Sequence, residues 1–202
     1  GVMFVDGSTF SFNRKIDKAI REAHTVYRPI AGRYLSAMPS DAVMGLFVNV
    51  DGNKFIELMR SNRSLQAMLA GINAAIDMDN IIKSVDGDMA VITPKYLDDR
   101  LSMSMAAELA HAGWLSDVDY WKQSVPQGGR IIDWKENAYK YTDGKTTFCF
   151  GVSADKQFYS GSSPEDAMAL LGQSETPRSK ALQQKVKGQK MALVINIGAL
   201  TG

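Results

Sequence analysis

Met44-Gly-Leu-Phe-Val-Asn-Val50 and Met191-Ala-Leu-Val-Ile-Asn-Ile197 are two seven-residue runs that share Met, Leu and Asn at their first, third and sixth positions. Their remaining positions are apolar or Gly, and an apolar run of this length without polar alternation reads as a strand buried on both faces. The segments before them follow one order. Residues 3–12 read as a hairpin and 13–24 as a helix, followed by Pro29 and the first run; Phe148 to Ser160 read as a hairpin and Pro164 to Leu171 as a helix, followed by Pro177 and the second run. Phe10 and Phe158, Ala19 and Ala167, and Pro29 and Pro177 are each offset by 148 positions. The order predicts a duplicated unit, residues 1–50 resembling 149–197, with a boundary near 140–150. Two independent buried strands would show the same apolar coincidence, so the weight of this reading lies in the order of elements.

Four Asp-Gly pairs punctuate the chain: Asp6-Gly7, Asp51-Gly52, Asp86-Gly87 and Asp143-Gly144. Each reads as a turn, because Gly accepts positive φ without steric cost and Asp tolerates it better than most residues. Asp143-Gly144 is the clearest hairpin, with Tyr139 and Tyr141 before it and Phe148 and Phe150 after it at alternate positions. Between these turns the period becomes helical. Leu65, Met68, Leu69, Ile72, Ala75 and Ile76 fall at i, i+3, i+4, i+7 spacing, a short helix is expected over 52–60, and Asn80 to Ser84 reads as a further turn. Leu101, Met103, Met105, Ala107 and Leu109 alternate as in a strand. Ser116 to Asp119 reads as the start of a helix carrying Tyr120 and Trp121, and Ser163-Pro164-Glu165-Asp166 as a stronger one, with Gly172 to stop it. Strands and helices mix without a regular βαβ alternation. The fold class is therefore α+β, a mainly antiparallel sheet covered by helices, in a single domain over 1–202.

The chain has 202 residues, 45% hydrophobic and 22% charged, long enough to bury roughly 70% of its unfolded surface. A formal net charge of +1 gives no bulk reason to seek nucleic acid or anionic lipid. No run approaches the roughly 20 apolar residues of a membrane-spanning helix. Gly1 in place of an initiating Met, with strand-like sequence at once, reads as a piece of a longer protein.

Nucleotide-binding, nucleophile-elbow and zincin motifs are missing, and His24 and His111 are the only histidines. No catalytic, cofactor or metal residue is assigned. Cys149, the only cysteine, lies mid-strand in Thr-Phe-Cys-Phe-Gly and reads as a small buried hydrophobe. Asp77 to Asn80 looks faintly like a calcium loop but reads equally as a helix cap. Arg178, Lys180, Lys185, Lys187 and Lys190 surround a helix that also holds Leu182 and Val186, the pattern of a solvated helix face. Met68, Met103, Met105, Met168 and Met191 fall on expected core faces. Trp114, Trp121 and Trp134 cluster in sequence around Gly128-Gly129, and Pro126 to Arg130 suits an anion-binding backbone turn beside a guanidinium. These three tryptophans with Arg130 form the speculative ligand surface.

Leu35 to Ala42 with its Pro39-x-Asp41-Ala42 start, the Met44 strand, Asp51-Gly52, the helices after it, and Ser84-Val-Asp-Gly87-Asp-Met-Ala-Val-Ile92 together resemble an uncharacterised family of bacterial cell-envelope lipoproteins. Phe148 to Leu171 is similar to its continuation. The resemblance implies export, a lipidated N-terminus outside this sequence as the membrane contact, and further flanking chain; it brings no catalytic residues. Two readings follow. One is a non-enzymatic envelope module without cofactor, binding or scaffolding an envelope protein or polymer. The other is a hydrolase-like or ligand-binding domain with a site near Trp114, Trp121, Trp134 and Arg130.

Overall fold

The computed structural model describes residues 2–6, 26–61, 63, 76–93, 96–97, 100–172 and 177–196. Nine strands form one sheet: β1 (Val2–Asp6), β2 (Met44–Asp51), β3 (Val85–Thr93), β6 (Ser104–Leu109), β7 (Arg130–Lys135), β8 (Ala138–Thr142), β9 (Thr147–Val152), β10 (Gln157–Gly161) and β11 (Met191–Asn196). Their order is β1-β11-β2-β3-β6-β10-β9-β8-β7, and every neighbouring pair is antiparallel. β4 (Tyr96–Leu97) and β5 (Arg100–Leu101) make a separate two-stranded ladder. The helices are α1 (Gly52–Arg60), α2 (Met78–Lys83), α3 (Val118–Ser124), α4 (Pro164–Met168) and α5 (Pro177–Val186), with 3₁₀ turns η1 (Leu35–Ala37) and η2 (Gly113–Asp117). The fold is α+β, as the mixed periodicities predict.

Alternation along the strands sends apolar residues to both faces, and each face finds a helical cover. One face carries Val48, Val50, Met89, Phe150 and Phe158 against Ile81 of α2 and Trp114, Val118 and Trp121 of η2 and α3. The other carries Phe47, Ala90, Ile92, Ala192 and Val194 against Tyr34 and Leu35 at η1 and Leu182 and Val186 of α5. Farther along that second face Ala138, Cys149 and Tyr159 pack on Ala167 of α4.

Local chemistry explains most boundaries. Asp51-Gly52 is a strand-to-helix junction and not a positive-φ turn: Asp51 ends β2 and caps α1, its carboxylate accepting from the amides of Asn53 (3.0 Å) and Lys54 (3.4 Å), and Gly52 is the first helical residue. Ser163 caps α4 by accepting from the Asp166 amide at 3.1 Å, with Pro164 at the first helical position. Asp143 closes the β8–β9 hairpin by accepting from the amides of Lys145 and Thr146. The β9–β10 hairpin and α1 lie where the sequence places them.

Other expectations are corrected. Asp86-Gly87 is not a turn: both residues lie inside β3. Gly87 takes φ +135° where β3 shifts register against β6, a bulge that admits Gly and positions Asp88 beyond it. The chain instead reverses at Ser84, whose hydroxyl donates to the Ile81 carbonyl at the end of α2. Ser116 does not start a helix; it lies in η2 and its hydroxyl donates to the Gly113 carbonyl. The Leu101-to-Leu109 strand is divided, with Leu101 in β5 and β6 beginning at Ser104. Met168 is 41% exposed, since α4 turns it outward to the Lys135 ammonium. The first turn and helix of the proposed duplication, His24, and the Leu65–Ala75 helical pattern lie outside the described residues. β2 and β11 are direct neighbours, Leu46 opposite Leu193 and Met44 opposite Ile195. Their preceding strands do not have equivalent places: β1 pairs with β11, whereas β10 is separated from β2 by β3 and β6.

Candidate functional site

A polar row crosses the centre of the sheet on the face covered by η1 and α5. Asn49 on β2 stands opposite Asp88 on β3, and Glu108 on β6 stands opposite Gln157 on β10. Asp88 is 2% exposed, and its burial is compensated by donors. Oδ1 accepts from the Ala31 amide and from Asn49 Nδ2, both at 2.9 Å; Oδ2 accepts from the amides of Gly32 and Arg33, both at 2.8 Å. Three successive backbone amides converging on one carboxylate form a nest. The Asp88 amide itself donates to Glu108 Oε1 at 3.0 Å.

Two arginines extend this row. Arg28 donates to Asn49 Oδ1 (3.0 Å), the Val50 carbonyl (2.7 Å) and Asp86 Oδ1 (2.7 Å). Arg33 lies 3.5 Å from Glu108 Oε2 and pairs directly with Asp155. Asp155 in turn accepts from Ser153 Oγ (2.6 Å) and from Gln157 Nε2. The Ser153 and Gln157 donors, reinforced by the Arg33 guanidinium, hold the Asp155 carboxyl down at about 2. Backbone bonds from Ile30 to the Gln189 carbonyl and from Gly188 to the Ile30 carbonyl fasten the loop to the turn before β11.

Beneath the loop lies a crevice bordered by Tyr34, Leu35, Phe47 and Asp88 that leaves no room for a water molecule. Tyr34 is 2% exposed and its hydroxyl has no hydrogen-bond partner among the described residues. Burial, and then the Glu108 carboxylate, push this phenol well above its usual range. Both Asp88 oxygens already accept two hydrogen bonds, so the arrangement binds the loop at 28–34 to the sheet.

The sequence-predicted surface is divided by the sheet. Trp114 and Trp121 stack with centroids 6.0 Å apart, are 1% and 5% exposed, and meet Phe150 and Phe158 in the core of the first face. Trp134 belongs to the opposite face, edge-on to Tyr159 at 6.4 Å, with Lys135 Nζ 5.2 Å from its ring. Arg130 is exposed at the start of β7, after a turn in which the Gly129 amide donates to the Pro126 carbonyl. The four residues do not form one groove.

Cys149 is buried under α4, and burial pushes its thiol up. His111 is exposed and accepts from the Gly113 amide at 3.3 Å. Asp77 caps α2 by accepting from the Asn80 amide, the capping alternative for the Asp77–Asn80 motif. Among the described residues no group of three or more His, Cys, Asp or Glu could hold a metal ion, and no helix is long and apolar enough to cross a membrane. The polar row was not singled out from sequence. Its signal was the interruption of buried alternation by Asn49 after Phe47 and by Asp88 before Ala90 and Ile92.

No family model matches the chain, and no curated protein matches it. Two solved structures of TP0453 are similar to it. Crystal form IV matches with a TM-score of 0.45 and 10% identity over 85% of this chain and 65% of that one. Crystal form III matches with a TM-score of 0.46 and 13% identity over 79% and 61%. The chain thus spans less than two thirds of those solved chains.

Proposed function

We propose that this protein is a non-enzymatic module of the bacterial cell envelope that binds or scaffolds another envelope component. The observation that carries the reading is the use to which its family-like motifs are put. Asp88 of the Ser84-to-Ile92 segment anchors a loop through four donors, Asp51 caps α1, and Ala42 of the Pro39-x-Asp41-Ala42 start is fully buried. Gly52 is held against the backbone of α2, where a Cβ would collide with the Ile82 carbonyl. Motif residues that serve caps, close approaches and an internal anchor support a scaffold; an enzyme of this resemblance would be expected to present some of them to a substrate.

The test is expression of the full-length protein in its native host, fractionation, and cross-linking before purification. The expected result is recovery with the envelope and reproducible capture of an envelope protein or polymer. Recovery in the cytosol, or turnover of an ester, peptide or glycan substrate by the purified protein, would replace this reading.

A further inference from the structure

Charge is segregated along the chain. Arg178, Lys180, Lys185, Lys187 and Lys190 all follow Glu175, and no Asp or Glu comes after it. With a formal total of +1 and these five cations set aside, the rest of the chain stands at −4. Helix α5 displays much of this positive segment. Ser179, Leu182 and Val186 turn inward, whereas Lys180, Gln184, Lys185 and Lys187 are exposed. Lys180 and Gln184 follow i, i+4 spacing on one outward stripe with Lys185 on its flank, and Lys187, the first residue past the helix, continues that stripe because its amide still donates to the Gln183 carbonyl. Among the described residues the ion pairs engage Arg28, Arg33, Arg60 and Lys122, and Lys180, Lys185 and Lys187 have none. The helix dipole accounts for cations in the last turn but disfavours Lys180 in the first.

We infer that the exposed lysine face of α5 seats this protein on an anionic phospholipid surface. This rests on the envelope reading. Lysines are compact charges on flexible stems, suited to a field of phosphates without fixed geometry. No aromatic residue lies between Pro177 and Lys190 to stack a base, as a single-stranded nucleic-acid groove would require.

The purified chain should co-sediment with vesicles of phosphatidylcholine and phosphatidylglycerol at low salt, and release at high salt. It should ignore vesicles of phosphatidylcholine alone. Each lysine near such a surface changes the affinity about fivefold, so K180Q/K185Q/K187Q should weaken binding about a hundredfold. The control K54Q/K145Q/K156Q removes three exposed lysines elsewhere and should stay near the unmodified chain. Because all six positions are exposed, both triples keep the fold, which circular dichroism checks. Failure of the chain to bind anionic vesicles, an equal loss in the control, or tighter retention by duplex DNA than by vesicles would overturn the inference. Fractionation tests the envelope reading separately: an envelope-resident protein whose vesicle binding ignores these lysines overturns the surface alone.

Discussion

At the scale of single residues, Asp88 joins parts of the chain that no local pattern connects. It is separated from Asn49 by 39 positions and from the amides of residues 31–33 by 55 to 57. Asp88→Ala would leave these donors without their acceptor, at about 1–3 kcal/mol for each that stays buried. With water admitted to some, a loss of about 3–5 kcal/mol is expected in urea unfolding, and a loss under about 1 kcal/mol would show that the loop is held by other contacts. Asp155 makes a smaller, pH-dependent contribution. Its folded pKa of about 2 lies below the unfolded value of about 3.9. The stabilisation is therefore complete above pH ~4 and lost as pH falls toward ~2. Its side chain is 58% exposed, so screening limits the contribution to below about 1 kcal/mol. Asp155→Asn should flatten the stability profile in that acid window and leave neutral-pH ranking of other variants unchanged. Cys149 offers a third check: buried, with its thiol pushed up, it should react with Ellman's reagent only on the timescale of unfolding.

At the scale of elements, sequence was most legible where a short-range chemical signal defines the boundary. The Ser163 cap and the Asp143 hairpin depend on acceptors two or three residues from their amides, and the chain shows them directly; Asp51-Gly52, read as a turn, is instead a helix cap. Asp86-Gly87 misled for the same reason: the dipeptide satisfies a turn, but pairing of Asp86 with Asp51 and Met89 with Ala107 incorporates it into a long strand. The tryptophans were hard to place because three aromatic residues close in sequence were divided by strand alternation and an intervening helix between two faces. Asn49 and Asp88 were visible as polar residues in buried strands, yet their partners on the 28–34 loop were not, since tertiary proximity set them. Element contacts also set the strongest expectations for substitution. Gly52→Ala drives a methyl group into the Ile82 and Val85 carbonyls where α1 crosses α2, and backbone cannot yield as a side-chain tip can. Loss of more than about 3 kcal/mol is expected by denaturant titration, against about 1 kcal/mol for Ser163→Ala, which removes only the α4 cap.

At the scale of the whole molecule, the order β1-β11-β2 makes the sheet depend on its last strand. β11 lies between the first two strands of the chain, pairing Val2 with Asn196 on one side and Val48 with Met191 on the other. Ala192 and Val194 are fully buried on the face that also receives Leu182 and Val186 from α5. Until β11 docks, β2 presents an open, apolar edge and β1 has no described partner in the sheet. Such long-range pairing is entropically demanding, so completion of the sheet is expected late in folding. Deleting residues 190–202 should therefore cause more than local fraying. The truncated chain should bind a hydrophobic dye, lose near-ultraviolet circular dichroism and unfold without a sharp transition, while the β7–β8–β9–β10 meander retains some far-ultraviolet signal. A truncated chain that unfolds cooperatively, with intact aromatic circular dichroism, would show that the central sheet stands without its closing strand. Adding a peptide spanning 189–202 provides the complementary measurement: recovery of cooperative unfolding in proportion to bound peptide would place the missing stability in the interior strand itself.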